Sequence, residues 1–502
     1  MIRETSVRLR HVEEARIDAD AEQVVAFTCP GDRLDPASAR MLERLGVAPG
    51  ELEASGLLPA RVHQVATGPL LGAGRPRRVV LVGLDPEAGA VAAVRDAATI
   101  AGRHAEGDGP IAVALPTLAA RRPGATEALV EGLILGRHRF DRYRSGVAPR
   151  PSALDLLVAA DVAEDALIAE ARRGAIVADA ANWARDLATT APADKTPEVL
   201  AEELRAVVAA AGGSVRIWSE RELEAAGFRG VLAVASGSPA RPAMVEIELR
   251  GDASRDAHVA LAGKGVTFDS GGLDLKAVES MYTMKHDMGG AAAVAAAVYA
   301  AGRLALPVNL HVALPLVENM PSGTALRPGD VIEHWNGMTS EVVSPDAEGR
   351  LILADAISYL TTRAPRSLLA VSTLTGTTAV GADLWGVFSD AHDLAGDLVE
   401  AGRRAGEPGW ALPLWRPYRS YLDSAVADLR NTGERLTYSV AGIVASLFLA
   451  EFVPPSLPWA HIDIAATVAR TRLTANAAWP AGATGSPARA LVRWLEATGA
   501  AA

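Results

Sequence analysis

The sequence AHVALAGKGVTFDSGGLDLK, residues 257–276, joins a short apolar run to several charged residues. The apolar part, residues 257–263, predicts a buried β-strand, because it has the length of a strand and is apolar apart from His258. Lys264, Asp269 and Lys276 follow among glycines and apolar residues, where a charge without a partner is costly. Open α/β sheets carry their binding sites beyond the carboxyl ends of strands. We therefore expect a functional site directly after this strand.

The chain beyond this segment alternates helical and strand patterns. The predicted elements are a helix at 289–305, a strand at 308–317, a hairpin at 331–343 that turns at Asn336-Gly337, a helix that ends at Leu360, and a strand at 367–373. This alternation indicates an α/β domain. We expect this larger C-terminal part to be catalytic and to have a mixed central sheet.

The first part of the chain shows the same alternation. Apolar runs at 78–84 and 111–115 flank an Ala-rich helical pattern at 90–105, which indicates a further α/β domain. A long helix from about Glu164 to Leu187 leads to a Pro-containing stretch that marks the domain boundary. We predict two domains of α/β class: a smaller assembly domain at 1–163, a connecting helix and linker at 164–195, and the catalytic domain at 196–502.

The charged segments hold four carboxylates: Asp269, Asp287, Asp346 and Glu348. Crowded carboxylates repel each other unless cations lie between them, and hard divalent cations prefer oxygen ligands. Four carboxylates argue for two ions, about 3.5–4 Å apart as in two-metal hydrolases. Lys264 is a ligand only when neutral, which a buried position beside a dication favours. Lys276 and Arg350 would stabilise charge that develops in a transition state.

Simpler interpretations exist for single residues. Asp269 and Asp287 are also common turn and helix N-cap residues, and Lys276 is also compatible with a solvated surface position. His286 precedes Asp287, yet we expect it outside the ligand set. The Gly271-Gly272 pair lacks the GxxxxGK[ST] pattern of a phosphate loop, and no HExxH or CxxC motif occurs in the chain. The joint pattern favours the metal site.

Several long motifs occur in a fixed order. Through them the chain closely resembles the leucine aminopeptidase (cytosol aminopeptidase) family from about Arg185 to about Leu495. The matching strings are GKGVTFDSGGLDLK at 263–276, MKHDMGGAAAV at 284–294, ENMPSGTALRPGD at 318–330, SPDAEGRL at 344–351, TLTG at 373–376 and WAHIDIA at 459–465. The resemblance implies a dinuclear metallo-aminopeptidase with a macro-like N-terminal assembly domain.

The resemblance also implies the roles of the charged residues. One metal ion would be held by Lys264, Asp269, Asp287 and Glu348, and the other by Asp269, Asp346 and Glu348. Lys276 would polarise the scissile carbonyl, and Arg350 would hold a bicarbonate that acts as general base. A hydroxide bridging the ions would attack the N-terminal peptide bond, while one ion binds the free α-amine. This ligand set suits zinc, manganese, magnesium or cobalt, of which zinc or manganese is expected.

The family's substrate pocket maps to a further set of residues. These substrate-binding candidates are Met284, Ser344, Thr373, Gly376, Ala465 and Val468. A pocket lined by these residues implies a preference for substrates whose N-terminal residue is apolar. Ser344-Pro345 replaces the family's Asn-Thr and removes one amide and one backbone N–H. Val468 replaces a common methionine, and residues 431–439 replace a glycine-rich loop. We expect the apolar preference to be reordered, and a specialised amide hydrolase is the alternative.

Family members are hexamers of two stacked trimers, so we expect a homohexamer that acts on small peptides. A DNA-binding or scaffolding member of the family is the other alternative. All implied ligands are retained, however, and the formal charge of −11, from 49 Lys+Arg and 60 Asp+Glu, opposes nonspecific attraction to nucleic acid or anionic membranes. Neither is expected as a partner.

The remaining sequence features predict the compartment. The single Cys29 excludes an internal disulfide, as expected in a reducing environment. The first residues lack the apolar core of a signal peptide, and no apolar run is long enough to span a membrane. We therefore expect a cytoplasmic protein.

Overall fold

The structure is a computed structural model that describes most of the chain. The described residues are 2, 4–11, 23–29, 33–44, 46–54, 58–59, 61–69, 78–84, 90–106, 110–116, 122–146, 153–158, 164–375, 381–433, 440–470 and 481–500. They form two compact units, one within Ile2–Asn182 and the other from Trp183 onward. Each unit is an α/β structure, as predicted.

The first unit alternates strands and helices. Its elements are β1 (Ser6–His11), β2 (Gln23–Cys29), β3 (Arg33–Leu34), α1 (Pro36–Arg44), α2 (Pro49–Ala54), β4 (Val65–Pro69), β5 (Arg78–Gly83), α3 (Ala90–His104), β6 (Ile111–Ala114), α4 (Ala125–Arg137), β7 (Ala153–Val158) and α5 (Glu164–Thr189), whose last residues belong to the second unit.

One sheet organises this unit. Its strand order is β1-β7-β6-β2-β5-β4, with β3 paired to β2. The strands are parallel except β3 and β4, which are antiparallel to their neighbours. The central strand β2 is buried along nearly its whole length, as are β5 and β6. Strands covered on both faces have continuous apolar sequences, which explains why 78–84 and 111–115 were recognisable.

The second unit carries the motifs. After a short 3₁₀ turn (Pro192–Asp194), its elements are α6 (Pro197–Ala210), β8 (Ser214–Ser219), α7 (Glu220–Ala226), α8 (Arg229–Ala235), β9 (Ala243–Arg250), β10 (Val259–Gly263), β11 (Gly265–Asp269), α9 (Val278–Met281), α10 (Gly289–Arg303), β12 (Asn309–Asn319), β13 (Val331–Glu333), β14 (Thr339–Glu341), α11 (Gly349–Thr361), β15 (Ser367–Ser372), β16 (Trp385–Phe388), α12 (His392–Ala405), β17 (Gly409–Leu412), β18 (Leu429–Arg430), α13 (Ala441–Ala450), β19 (Trp459–Asp463), β20 (Ala469–Arg470), β21 (Gly482–Ala483) and α14 (Ala488–Ala500).

The central sheet of the second unit is mixed, as predicted. Its order is β17-β16-β19-β15-β10-β12-β9-β8, and β11 also pairs with β12. The middle strands β19, β15, β10 and β12 are parallel, whereas β9, β8 and β16 introduce antiparallel pairs. Both α10 and α11 contact β10, whose side chains are fully buried. The parallel strands end at one edge of the sheet, and the charged motifs follow those ends.

Most predicted elements of this unit are confirmed. The helix expected at 289–305 is α10, the hairpin at Asn336-Gly337 joins β13 and β14, and the strand at 367–373 is β15. Strand β11 was not predicted. It continues the line of β10 beyond Lys264 and pairs with β12, with a bulge between Val266 and Asp269. No helix in the described part of the chain has both the length and the apolar character needed to cross a membrane.

Candidate metal centre

Lys264 lies between β10 and β11, at the carboxyl end of the central sheet. Its backbone N–H donates to the Val371 carbonyl of β15 (3.0 Å), and its carbonyl accepts from Ala291 N–H at the start of α10 (2.8 Å). Gly349 lies so close that a β-carbon there would be 2.6 Å from Lys264 Cδ. The buried lysine side chain is therefore enclosed by strand, helix and glycine, and its position is fixed.

The turn after β11 returns the chain to the same place. Asp269 ends the strand, and its Oδ1 accepts the Gly271 N–H (2.9 Å). Gly271 has φ 86° and Gly272 has φ 62°, a left-handed conformation that other residues rarely adopt. This tight turn lets Lys276 N–H donate to the Ser270 carbonyl (2.9 Å). The turn therefore directs the Lys276 side chain toward Asp269.

Two lysine ammonium groups each bridge a pair of carboxylates. Lys264 Nζ lies 2.8 Å from Asp287 Oδ1 and 2.7 Å from Glu348 Oε1. Lys276 Nζ lies 2.7 Å from Asp269 Oδ2 and also contacts Asp346 Oδ1. The structure thus brings together all four carboxylates and both lysines that the sequence predicted for this site.

Three of the carboxylates have the spacing of a cation site. Ligand oxygens of Asp269, Asp346 and Glu348 all lie within 4.8 Å of one another. The fourth, Asp287, has its Oδ1 occupied by Lys264 and Thr373, while its Oδ2 is buried without a hydrogen-bond partner among the described residues. A buried carboxylate oxygen without a partner is costly in free energy, and a bound cation would remove that cost.

The ionisation of these groups reflects burial and crowding. Burial raises the pKa of Asp287 well above its usual range, although the Lys264 ammonium opposes this. Burial and the charge of Glu348 likewise raise the pKa of Asp269. Burial alone would lower the pKa of Lys264, but the carboxylates of Asp287, Glu348 and Asp269 outweigh it and raise that pKa. Additional positive charge beside Asp269 and Asp287 would therefore favour their ionised forms.

Arg350 is held beside this group at the start of α11. Its Nη1 donates to the Asn431 carbonyl (2.8 Å), and its Nε is buried without a partner among the described residues. Burial lowers the pKa of Arg350 to about 10, against the opposing charges of Glu348 and Asp463. The guanidinium therefore stays charged at neutral pH, and within the described part of the chain its Nε remains available to an anion.

Two asparagines that were not assigned a role from the sequence contact the second predicted ligand segment, which carries Asp346 and Glu348. Asn319, at the end of β12, donates through Nδ2 to Asp269 Oδ1 (2.8 Å) and to the Pro345 carbonyl (3.1 Å). Asn431 contacts the backbone of residues 343–347. Asn319 stands in the ENMPSG string, and this motif position between the two ligand segments was the only signal for it.

The predicted pocket residues are placed as follows. Thr373 follows β15, and its hydroxyl donates to Asp287 Oδ1 (2.7 Å) while its carbonyl accepts from Lys264 Nζ (3.0 Å). Met284 opens the 3₁₀ turn (Met284–His286) before Asp287. Val468 is buried, and a β-carbon on Gly289 would lie 2.3 Å from its Cγ2. Ala465 is half-buried, and Gly376 lies outside the described residues.

The departures from the family pattern have defined contacts. Ser344 Oγ donates to Asp274 Oδ2 (2.6 Å) and accepts from Asp346 N–H (3.1 Å). The serine hydroxyl therefore supports the backbone of Asp346, a predicted ligand. Of the segment 431–439, residues 434–439 lie outside the described residues, and Asn431 is fully buried.

A second group of possible ligands lies elsewhere, on β9 and β12. Atoms of Glu246, Glu248 and His311 lie within 4.8 Å of one another. Arg363 pairs with both glutamates, and Trp218 Nε1 and Tyr359 OH donate to Glu246 (2.9 and 2.6 Å). Protein donors and an arginine already balance these carboxylates, so we assign the group a structural role.

Comparison with known proteins identifies relatives of both parts of the chain. The family model for the cytosol aminopeptidase family, catalytic domain, matches residues 182–492, and that for the N-terminal domain matches residues 24–146. A probable cytosol aminopeptidase of Syntrophotalea carbinolica is 43% identical over 378 residues, covering 74% of this chain and 75% of that protein. One from Roseiflexus castenholzii is 40% identical over 435 residues, covering 84% and 88%.

Solved structures give a similar result. The bottromycin maturation enzyme BotP has a TM-score of 0.79 and 35% sequence identity, covering 96% of this chain and 100% of that chain. The structure of BotP in complex with Mn has a TM-score of 0.81 and 34% identity, covering 95% and 100%.

Proposed function

Because the chain belongs to the cytosol aminopeptidase family, we propose that it is a metal-dependent aminopeptidase with two divalent ions per subunit. The observation that carries the proposal is the grouping of four carboxylates around two lysines at the carboxyl end of a parallel sheet. Asp287 Oδ2, which has no hydrogen-bond partner among the described residues, and the spacing of the other three carboxylates suit a cation. The donor set therefore fits the metal ions that the family implies.

We assign the ligands as the motifs suggest. Lys264, Asp269, Asp287 and Glu348 would hold one ion, and Asp269, Asp346 and Glu348 would hold the other. The ions would supply Lewis acidity toward the scissile carbonyl and make hydroxide available near neutral pH. Lys264 must lose its proton to act as a ligand. The oxygen-rich set with one amine favours zinc or manganese, and the Mn complex of the related BotP supports manganese.

Lys276 and Arg350 are the proposed catalytic cations. Lys276 contacts Asp269 and Asp346, so its ammonium lies beside the ligands of the metal site and is available to stabilise negative charge on the carbonyl oxygen. Arg350 presents a buried Nε donor without a partner among the described residues. Arg350 would hold a bicarbonate there, and that group would supply a general base.

The substrate would be a peptide with a free N-terminus and an apolar first residue. The pocket candidates Met284, Thr373, Ala465 and Val468 are mostly apolar, which favours apolar side chains. We also propose a homohexamer. Large apolar side chains that are exposed on the second unit support subunit contacts; they include Trp410, Trp415, Tyr421 and Val426.

The second candidate is a specialised amide hydrolase that cleaves one particular peptide. The likeness to the maturation enzyme BotP extends over nearly the whole chain. The Ser344-Pro345 pair and Val468, which replace common family residues, also favour an altered specificity. A broad panel of aminoacyl substrates separates the two candidates, because a specialised enzyme would leave most of the panel uncleaved.

A direct test compares leucyl anilide with its N-acetylated form. We expect cleavage only of the free amine, only with added Mn²⁺ or Zn²⁺, and none after exhaustive chelation. Equal cleavage of both substrates, or full activity in the chelated protein, would contradict the proposal.

A further inference from the structure

Asn431 is a fully buried residue that contacts the second ligand segment with every polar atom of its amide. Its Oδ1 accepts the N–H groups of Val343 (2.8 Å) and Ser344 (3.3 Å). Its Nδ2 donates to the carbonyls of Ser344 (2.7 Å) and Ala347 (3.4 Å). One side chain therefore spans the loop that carries Asp346.

The backbone of Asn431 is fixed as well. It directly follows β18, which pairs with β14, and its N–H donates to the Glu341 carbonyl (2.9 Å). Its carbonyl accepts from Arg350 Nη1 (2.8 Å). The residue thus links the hairpin that precedes the ligand loop to the arginine that follows it.

The loop needs such support because residues 343–348 form neither strand nor helix. Their buried N–H and carbonyl groups must find other partners. A side-chain amide has two acceptor positions and two donors, which is the set that Asn431 supplies. Asp would lack the donors, and an apolar residue would lack both.

We propose that Asn431 is a positioning residue that sets the placement of Asp346 and Glu348 for metal binding. This inference rests on the proposed two-metal function. Partners that orient metal ligands typically contribute 10- to 100-fold in metal affinity, so loss of the amide should weaken metal binding by about that factor. The effect should fall mainly on the ion held by Asp346, because Lys264 and Asp287 lie on other segments.

The contact to Arg350 should survive loss of the side chain, since it uses the backbone carbonyl. We therefore expect Asn431→Ala to reduce metal affinity more than it reduces kcat at saturating metal. A residue that affected only the stability of the fold would not lower metal affinity more than kcat.

Asn309 provides a matched control. Its amide also makes four hydrogen bonds to backbone, with Asp252 N–H and with the carbonyls of Asp252, Arg255 and Ala257 (2.8–3.4 Å). These contacts lie at the opposite end of β12 from the metal centre. Asn309→Ala removes a comparable set of side-chain to backbone hydrogen bonds and should leave metal affinity unchanged.

The experiment is calorimetric titration of the full chain, stripped of metal, with Mn²⁺, for the wild type, Asn431→Ala and Asn309→Ala, with thermal melting of each. We expect two ions in the wild type, one weakened about 10- to 100-fold in Asn431→Ala, and wild-type binding in Asn309→Ala. If Asn431→Ala does not fold, Asn431→Ser, which keeps a hydroxyl against the loop, carries the same comparison.

The outcomes separate the two claims. A wild type that binds Mn²⁺ while the folded Asn431 variants bind it within two-fold of wild type would overturn the inference alone. A wild type that binds no Mn²⁺ would overturn the proposed function, and the inference with it. Equal weakening in Asn309→Ala would show a general loss of stability and would also overturn the inference.

Discussion

Lys276 and Lys264 differ in the role that their contacts permit. Lys264 is enclosed by β10, β15 and α11, with Gly349 packed against its side chain. Lys276 follows a glycine turn and reaches the site from its rim, where it contacts Asp269 and Asp346. The enclosed Lys264 can serve as a ligand once a bound dication displaces its proton, whereas a lysine at the rim suits contact with substrate.

This difference predicts the behaviour of Lys276→Ala. We expect kcat to fall by about 10²-fold or more, the usual scale for lost electrostatic stabilisation, while both metal ions remain bound. Steady-state kinetics with parallel metal analysis measures both quantities. Loss of the ions together with the activity would mean that Lys276 is part of the metal site instead.

At the scale of elements, the structure shows which parts were predictable. Elements whose signal is local, such as α10 with its Ala-rich sequence and the β13–β14 hairpin with Asn336-Gly337, appear where the sequence predicted them. Strand β11 was not predicted, because Lys264 interrupts the apolar run and the partner strand β12 lies about 50 residues away along the chain.

The grouping of the proposed ligand residues was predictable because these residues stand in long motifs, but the residues that support them were not predictable. Asn319 and Asn431 contact the loop at 343–347 from positions well separated in sequence. The hydrophobic periodicity of a sequence does not indicate which side-chain amide will form hydrogen bonds to backbone groups far away along the chain. Val468 and Thr373 show the same limit: the family resemblance identifies the positions, while the contacts with Gly289 and Asp287 follow only from the fold.

The network around Glu246 connects four elements of the second unit. Glu246 on β9 accepts from Trp218 of β8 and from Tyr359 of α11, and it pairs with His311 of β12. Burial opposes ionisation, but hydrogen bonds from His311, Tyr359 and Trp218 outweigh it and lower the pKa of Glu246 to about 2. The folded pKa is below the usual 4.5, so this stabilisation is present at neutral pH and is lost as pH falls from about 4.5 toward 2.

We therefore expect Glu246→Gln to destabilise the protein at pH 7 by about 1.5–3 kcal/mol, the scale of a hydrogen bond to a charged group. The difference in Tm between the variant and the wild type should narrow as pH is lowered below about 4.5, because the wild-type carboxyl becomes protonated. Thermal melting across this range tests it. A difference that stayed constant or widened would argue against an ionised Glu246 at the centre of the network.

For the whole molecule, the proposed hexamer gives a mass prediction. The chain has a mass of 52.1 kDa, so a hexamer has about six times that mass. Light scattering of the purified protein should return a value near 310 kDa, roughly six chains, as burial of exposed apolar residues between subunits favours. A monomeric mass together with full activity would refute the hexamer and leave the chemistry of the site untouched.

We propose that the carboxylates around Lys264 and Lys276 hold two divalent ions. Elemental analysis of protein equilibrated with Mn²⁺ and freed of excess metal counts these ions. We predict two Mn per chain in the wild type and one in Asp346→Asn, since Asp346 is assigned to one ion only. A wild type that retained no metal, or an Asp346→Asn variant that retained two ions, would contradict the assignment.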